Sequence, residues 1–80
     1  MRLDKYLKVS RIIKRRTVAN DACDTGHVTI NGKEAKPAAE VKTGDVIEIR
    51  FGQKTTRYEV LLVADHVSKA DADAMYRALP

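Results

Sequence analysis

A single cysteine, one phenylalanine, two prolines and no tryptophan occur in 80 residues, and each scarcity removes a class of protein. One cysteine forms no internal disulfide. With only His27 and His66 beside it, there is no Cys/His set at metal-ligand spacing. Cys23 falls among the apolar residues of an expected helix, so inert packing is favoured over redox or catalytic use. No apolar run approaches the roughly 18 residues of a spanning helix. The start Met1-Arg2-Leu3-Asp4 meets further charges before a signal-peptide core, so no membrane association and a cytoplasmic location are expected. There is no glycine-rich phosphate loop and no Ser/His/Asp set, and the acidic residues are scattered. Catalysis, a cofactor and a metal are therefore not expected. Repeats, low-complexity segments and Gly/Ser linkers are also missing, and a chain this short divides poorly between two cores. One domain over residues 1–80 is expected, with a core motif over about 1–51 and a C-terminal part over about 57–80.

What is present is charge, unevenly placed. The net charge is +4. Residues 1–16 hold seven cations, Arg2, Lys5, Lys8, Arg11, Lys14, Arg15 and Arg16, against Asp4 alone, a local +6. Residues 17–80 carry eight basic and ten acidic side chains, a local −2. A cluster of that density attracts polyanions, which in the cytoplasm mostly means nucleic acid. The plainer alternative is a solvated basic face, and the predominance of arginine counts against it.

Spacing gives the elements. Leu3, Tyr6, Leu7 and Ser10 lie three and four apart, as on the buried stripe of a short helix with Lys5 and Lys8 turned outward. A second helix is expected from Thr17, as N-cap, to about Thr25. It would carry a small-residue face of Val18, Ala19, Ala22 and Cys23 and a left-handed stop at Gly26. After Gly26 the period changes to two. Val28-Thr29-Ile30 and Lys33-Glu34-Ala35 flank Asn31-Gly32, a strong hairpin signal. Further strands are expected over Val46–Phe51 and Arg57–Val63, joined by connections too short for crossover helices. Ser68-Lys69-Ala70-Asp71 reads as a capping box, and Ala70, Ala74, Met75 and Ala78 continue a helical stripe to the end. The class is therefore α+β: two N-terminal helices packed on a small, mostly antiparallel curved sheet of four or five strands, with a short C-terminal helix. Tyr6, Tyr58 and Phe51 occupy apolar-stripe positions and are expected to be core rather than base-stacking residues.

Three strings together carry a family resemblance: Arg2-Leu3-Asp4-Lys5-Tyr6-Leu7, then Arg15-Arg16-Thr17 with Ala19, then Gly26-His27-Val28-Thr29-Ile30-Asn31-Gly32. Over residues 1–51 the chain resembles the RNA-binding (alpha-L) domain first described in small-subunit ribosomal protein S-four. In that family two helices lie against a small curved sheet, and the helix pair with its junction forms the RNA-binding face. Stand-alone members become the relevant comparison. The start MRLDKYLKVSRIIKRRT and Arg50-Phe51-Gly52-Gln53-Lys54 look most like the bacterial ribosome quality control protein P group, which is related to the heat-shock protein-fifteen group. This resemblance implies binding to obstructed large ribosomal subunits, with contacts to ribosomal RNA and to peptidyl-tRNA in the P site. It also implies assistance to non-templated C-terminal alanine tailing beside a quality-control factor that recruits alanyl-tRNA. A heat-shock-type large-subunit recycling factor and a small protein-binding adaptor are the alternatives, and nothing suggests an obligate dimer.

The expected RNA-binding residues are Arg2, Asp4, Lys5, Lys8, Arg11, Lys14, Arg15, Arg16, Thr17 and His27. Arginine suits the task because its planar guanidinium bonds phosphate bidentately and stacks on bases. Each lysine adds counterion release or is simply solvated. Thr17 caps its helix or, with Arg16, faces a phosphate at the helix start. Asp4 orients Arg2 or Arg16 by an ion pair, caps the first helix, or rejects wrong partners. His27 contacts phosphate or is a surface histidine, and the left-handed demand of the hairpin alone accounts for Asn31 and Gly32.

Overall fold

The computed structural model describes all 80 residues. In chain order it contains α1 (Leu3–Val9), α2 (Arg16–Asp24), β1 (Val28–Ile30), β2 (Lys33–Glu34), β3 (Val46–Phe51), β4 (Lys54–Val60), α3 (Lys69–Ala72), a 3-10 turn (Asp73–Met75) and β5 (Tyr76–Leu79). The strands form one antiparallel sheet in the order β2-β1-β3-β4-β5, and the helices pack on it, as the α+β reading requires.

The α1 stripe is as the spacing demands: Leu3, Tyr6, Leu7 and Ser10 are all fully buried. Burying a leucine completely is worth about 1.5–3 kcal/mol, so Leu3 and Leu7 alone fix which face of this two-turn helix points inward. Its first N–H groups are not left to solvent. Leu3 N donates to the carbonyl of Ala39 (2.9 Å) and Asp4 N to that of Pro37 (3.1 Å), so the loop before β3 holds the start of α1 in place. α1 ends at Arg11, which takes a left-handed φ of 65° where glycine is usual, and Arg11 N donates to the carbonyl of Lys8 at 3.1 Å.

α2 ends in a Schellman arrangement. Gly26 has φ 82°, Gly26 N donates to the carbonyl of Cys23 (3.2 Å), and His27 N donates to that of Ala22 (2.9 Å). A β-carbon at Gly26 would stand 2.9 Å from the end of the exposed Glu34 side chain, which can swing aside, so the left-handed φ rather than space is what favours glycine. Ala19, Ala22 and Cys23 are buried against α1, but Val18, expected on the same face, is 44% exposed. The start differs by one residue: the helix begins at Arg16, with extended Arg15 in the cap position and no side-chain cap, so Thr17 is not the N-cap. Exposed backbone N–H groups reach water at that end, which removes the need for a threonine oxygen.

The β1/β2 hairpin turns through Asn31 (φ 52°) and Gly32 (φ 84°) as expected. Asn31 does more than turn the chain: its Oδ1 accepts from Val46 N (2.9 Å) and its Nδ2 donates to Asp45 (3.1 Å), which registers β1 against β3.

Three C-terminal expectations are corrected. β4 occupies Lys54–Val60 rather than Arg57–Val63, because Phe51 pairs with Lys54 across a two-residue turn and pairing starts at once. Leu61 and Leu62 leave the sheet about half exposed, their N–H groups donating to the Met75 carbonyl (2.8 and 3.2 Å). Ser68 does cap α3, accepting from Asp71 N at 3.1 Å. The helix nevertheless stops at Ala72, and the segment expected to stay helical becomes β5, pairing Val60 with Tyr76 and Arg57 with Leu79. The free edge of β4 and the edge-on contact of Tyr58 with Tyr76 (5.2 Å between centroids) override an alanine-rich helix preference. Phe51 is also not core. At the tip of the β3/β4 hairpin it lies beyond the cover of the helices and is 49% exposed.

Tyr6 links the two ends of the fold: its buried hydroxyl donates to the Met75 carbonyl at 2.7 Å. Burial, with Tyr76 nearby, pushes the phenol well above its ordinary range, so it stays a donor.

Candidate nucleic-acid interface

The centre of the basic segment is an acid. Asp4 is 2% exposed. The Nε of Arg2 donates to its Oδ1 (3.1 Å) and an Nη of Arg2 to its Oδ2 (3.2 Å), a two-pronged pair. Lys5 N donates to Oδ1 (2.8 Å) and Asn20 Nδ2 to Oδ2 (3.3 Å), while the Arg16 guanidinium stands 3.6 Å away. Burial by itself would raise this carboxyl. The bonds from Arg2, Asn20 and the Lys5 backbone, with the charge of Arg16, outweigh it and hold Asp4 below the usual carboxylate value.

The physical effect is to fix two arginines in one place. Arg2 precedes α1 and Arg16 opens α2, and one buried carboxylate brings the two together. About half of each side chain remains exposed, 51% for Arg2 and 48% for Arg16, so guanidinium edges face outward. Ordering two arginines costs side-chain entropy, which Asp4 meets during folding rather than at binding.

The junction between α1 and α2 carries the remaining cations. Lys8, Arg11, Lys14 and Arg15 are exposed, and no carboxylate lies within ion-pair distance of any of them. Lys8, Arg11 and Lys14 line a cleft of about 220 Å³, closed on the far side by residues 65–67. Lys5 does not line the cleft but pairs with Asp65 of its far wall at 3.3 Å. At the start of α2 the backbone N–H groups of Arg16, Thr17 and Val18 make no hydrogen bond within the protein. Thr17 is exposed beside them.

His27 is not brought to this cluster. It follows the C-terminal end of α2, a helix about 13 Å long by its rise whose other end carries Arg16. There its ring meets the Thr25 hydroxyl (2.7 Å) and stacks on Phe51 with 6.1 Å between centroids. On the same side of the sheet a second hollow of about 200 Å³ lies between Ile12, Ile13 and the β3/β4 strands. Asn20 was not among the expected residues. Its signal was present, because Asn20 lies four residues after Arg16 and so shares its helix face. Asp65 and His66 gave no such signal, since their place beside α1 is a tertiary fact. Cys23 is buried, and burial with the nearby Asp4 charge pushes its thiol up to about 11, in keeping with inert packing.

Two arginines clamped on one carboxylate, at the heads of two helices and beside four unpaired cations, form one preorganised basic face. The S4 domain family model matches residues 1–47, which contain that whole constellation. The chain belongs to the S4 domain family. Its relatives include proteins named RQC P-site tRNA stabilizing factor. The one from Halalkalibacterium halodurans is 51% identical, with 95% of this chain and 86% of the relative covered. The one from Streptococcus pneumoniae is 52% identical, covering 99% and 90%. Among solved structures, the trimeric Heat Shock Protein 15 of Vibrio cholerae superposes with a TM-score of 0.88 at 31% identity, over 99% of this chain and 81% of that one. This S4 domain is thus similar over nearly its whole length to proteins of that name and shares its fold with Heat Shock Protein 15.

Proposed function

We propose that this S4 domain protein binds RNA on the large ribosomal subunit in ribosome-associated quality control, holding peptidyl-tRNA in the P site of an obstructed subunit. The relatives named for P-site tRNA stabilization, at about half identity over nearly the whole chain, support this reading. The observation that carries it is the Asp4 clamp. Phosphodiester backbones are recognised by guanidinium groups held in fixed positions, and Arg2 and Arg16 are so held. Lys8, Arg11, Lys14 and Arg15 add counterion release around that point, while Lys5 has its own acidic partner. Thr17 and the free N–H groups of the first turn of α2 extend the same surface. His27, at the far end of α2, serves a separate contact.

In this reading the protein acts by binding alone. It stabilises one tRNA position on ribosomal RNA while a partner that recruits alanyl-tRNA carries out non-templated alanine tailing. The test is to isolate large subunits from stalled cells expressing tagged wild-type protein or Arg2→Ala/Arg16→Ala, and to sequence the co-purifying RNA. Wild type is expected with large-subunit RNA and tRNA, and the double variant at least tenfold depleted. Equal recovery of both would remove the clamp from the mechanism. Absence of wild type from large subunits would remove the ribosome.

A further inference from the structure

Residues 61–67 lie outside the segment matched by the family model, and none of them is among the expected RNA-binding residues. Asp65, His66 and Val67 nevertheless line the cleft opposite the α1–α2 junction. The wall is well held. Leu61 N and Leu62 N both donate to the Met75 carbonyl, Val63 and Val67 pack on the core, and Asp65 pairs with Lys5. The cleft therefore has two fixed sides.

Its lining is strongly one-signed. Lys8, Arg11 and Lys14 face it without acidic partners. The one acid present, Asp65, already has an oxygen engaged by Lys5 at 3.3 Å. His66, exposed on the opposite wall, offers a ring N–H donor in either protonation state. Arg11 reaches the lining from a left-handed backbone, a conformation that costs a non-glycine residue free energy and tends to persist where function uses it. Three cations and a donor around about 220 Å³ of mostly polar space suit a tetrahedral oxyanion with room for an attached sugar.

We propose that this cleft is a second RNA contact, separate from the Asp4 clamp. It seats one backbone phosphodiester between Lys8, Arg11 and Lys14 on the junction and His66 on the C-terminal wall. The proposal rests on the RNA-binding reading above and adds a site and a residue to it. RNA is then gripped at two points, one on Arg2 and Arg16 and one in the cleft, so the bound strand has a set direction across the helix pair.

The test uses the full chain, isotope-labelled, with purified deacylated tRNA and inorganic phosphate as separate probes. The His66 ring signals are followed in each titration. tRNA affinity is then measured against salt for wild type, His66→Ala, His66→Gln, Lys8→Ala/Lys14→Ala and Arg2→Ala/Arg16→Ala. tRNA is expected to shift the His66 signals at micromolar concentration and phosphate only at millimolar. His66→Ala is expected to weaken tRNA binding about fivefold, the worth of one hydrogen bond, with glutamine restoring most of it through its own N–H. The lysine pair is expected to lower the salt slope by about 1–2. His66 is exposed, so unchanged melting of its variants separates a lost contact from a lost fold. Wild-type affinity in the His66 and lysine variants, with affinity lost in the arginine pair, overturns the cleft and the counterion role of Lys8 and Lys14, and leaves RNA binding through the Asp4 clamp standing. Failure of wild type to bind tRNA overturns both. A His66 response to phosphate as strong as to tRNA replaces the RNA contact with a small-anion site.

Discussion

Replacing Asp4 with asparagine tests the clamp most directly. The side chain keeps its size and one acceptor oxygen, enough for Lys5 N, but the other oxygen becomes an NH2 group facing an Arg2 Nη that now stands 3.2 Å from an acceptor. Hydrogen bonds to a charged group contribute roughly 1.5–3 kcal/mol each, and a buried pair broken on one side costs about 3–5 kcal/mol. The larger figure does not apply, because Arg2 and Arg16 are half exposed and return to water when released. The Arg2 Nε bond to the retained oxygen survives without its charge, and the bonds lost without replacement are those to Oδ2 from Arg2 Nη and, in part, from Asn20, which gives a loss of about 2 kcal/mol. In a domain of this size 1 kcal/mol moves the melting midpoint by about 4–8 °C, so Asp4→Asn is expected to melt about 10 °C lower by circular dichroism at pH 7. The pH dependence has a definite sign. Asp4 titrates below its ordinary value in the folded protein, so its contribution is complete above the unfolded carboxylate value of about 4. That contribution fades as pH falls through the lowered folded value. The gap between wild type and variant should therefore be constant from pH 5 to 7 and close in stronger acid. A gap under about 2 °C at pH 7, or one that persists unchanged to pH 2, would refute the clamp.

Arg11→Gly removes a cation and relieves a left-handed residue. Relief of about 1–2 kcal/mol exceeds the roughly 0.5–1 kcal/mol entropic cost of glycine, so the variant should melt a few degrees higher while binding tRNA more weakly, and a lower midpoint would contradict the strain. Tyr6→Phe should cost about 1 kcal/mol in denaturant unfolding. The Met75 carbonyl keeps its bonds from Leu61 N and Leu62 N, and a loss beyond about 3 kcal/mol would mean that the oxygen is left unsatisfied. Cys23, buried and with its thiol pushed up to about 11, should react with iodoacetamide at pH 8 at least a hundredfold more slowly than free cysteine until denaturant is added. A rate near that of the free thiol would show the site open.

The N-terminal half was legible because its signals are local. The three-and-four spacing of Leu3, Tyr6, Leu7 and Ser10, the Gly26 stop and the Asn31-Gly32 turn each specify their own neighbourhood. The last fifteen residues were not. Ala70, Ala74 and Ala78 favour a helix locally, and only the unpaired edge of β4, made sixty residues from the N-terminus, draws Tyr76–Leu79 into the sheet. The candidate site divides in the same way. Arg2, Asp4 and Arg16 stood out by charge and motif, and the ion pair among them was one of the roles open to Asp4. Asn20 was not among the expected residues, although its helical spacing from Arg16 marks it. Asp65 and His66 have no sequence neighbour that marks them, since only the packing of residues 61–67 beside α1 makes them part of a surface.

The triple acceptor at Met75 has a consequence for the order of events during synthesis. The hydroxyl that locks α1 in position, and the two amides that set the wall beside it, all wait for one backbone oxygen near the carboxyl end. The helix pair carrying the arginine clamp is made first, but its inner face is finished only when residue 75 has left the ribosome that is making it. A nascent copy shorter than that holds the basic segment on an incomplete scaffold.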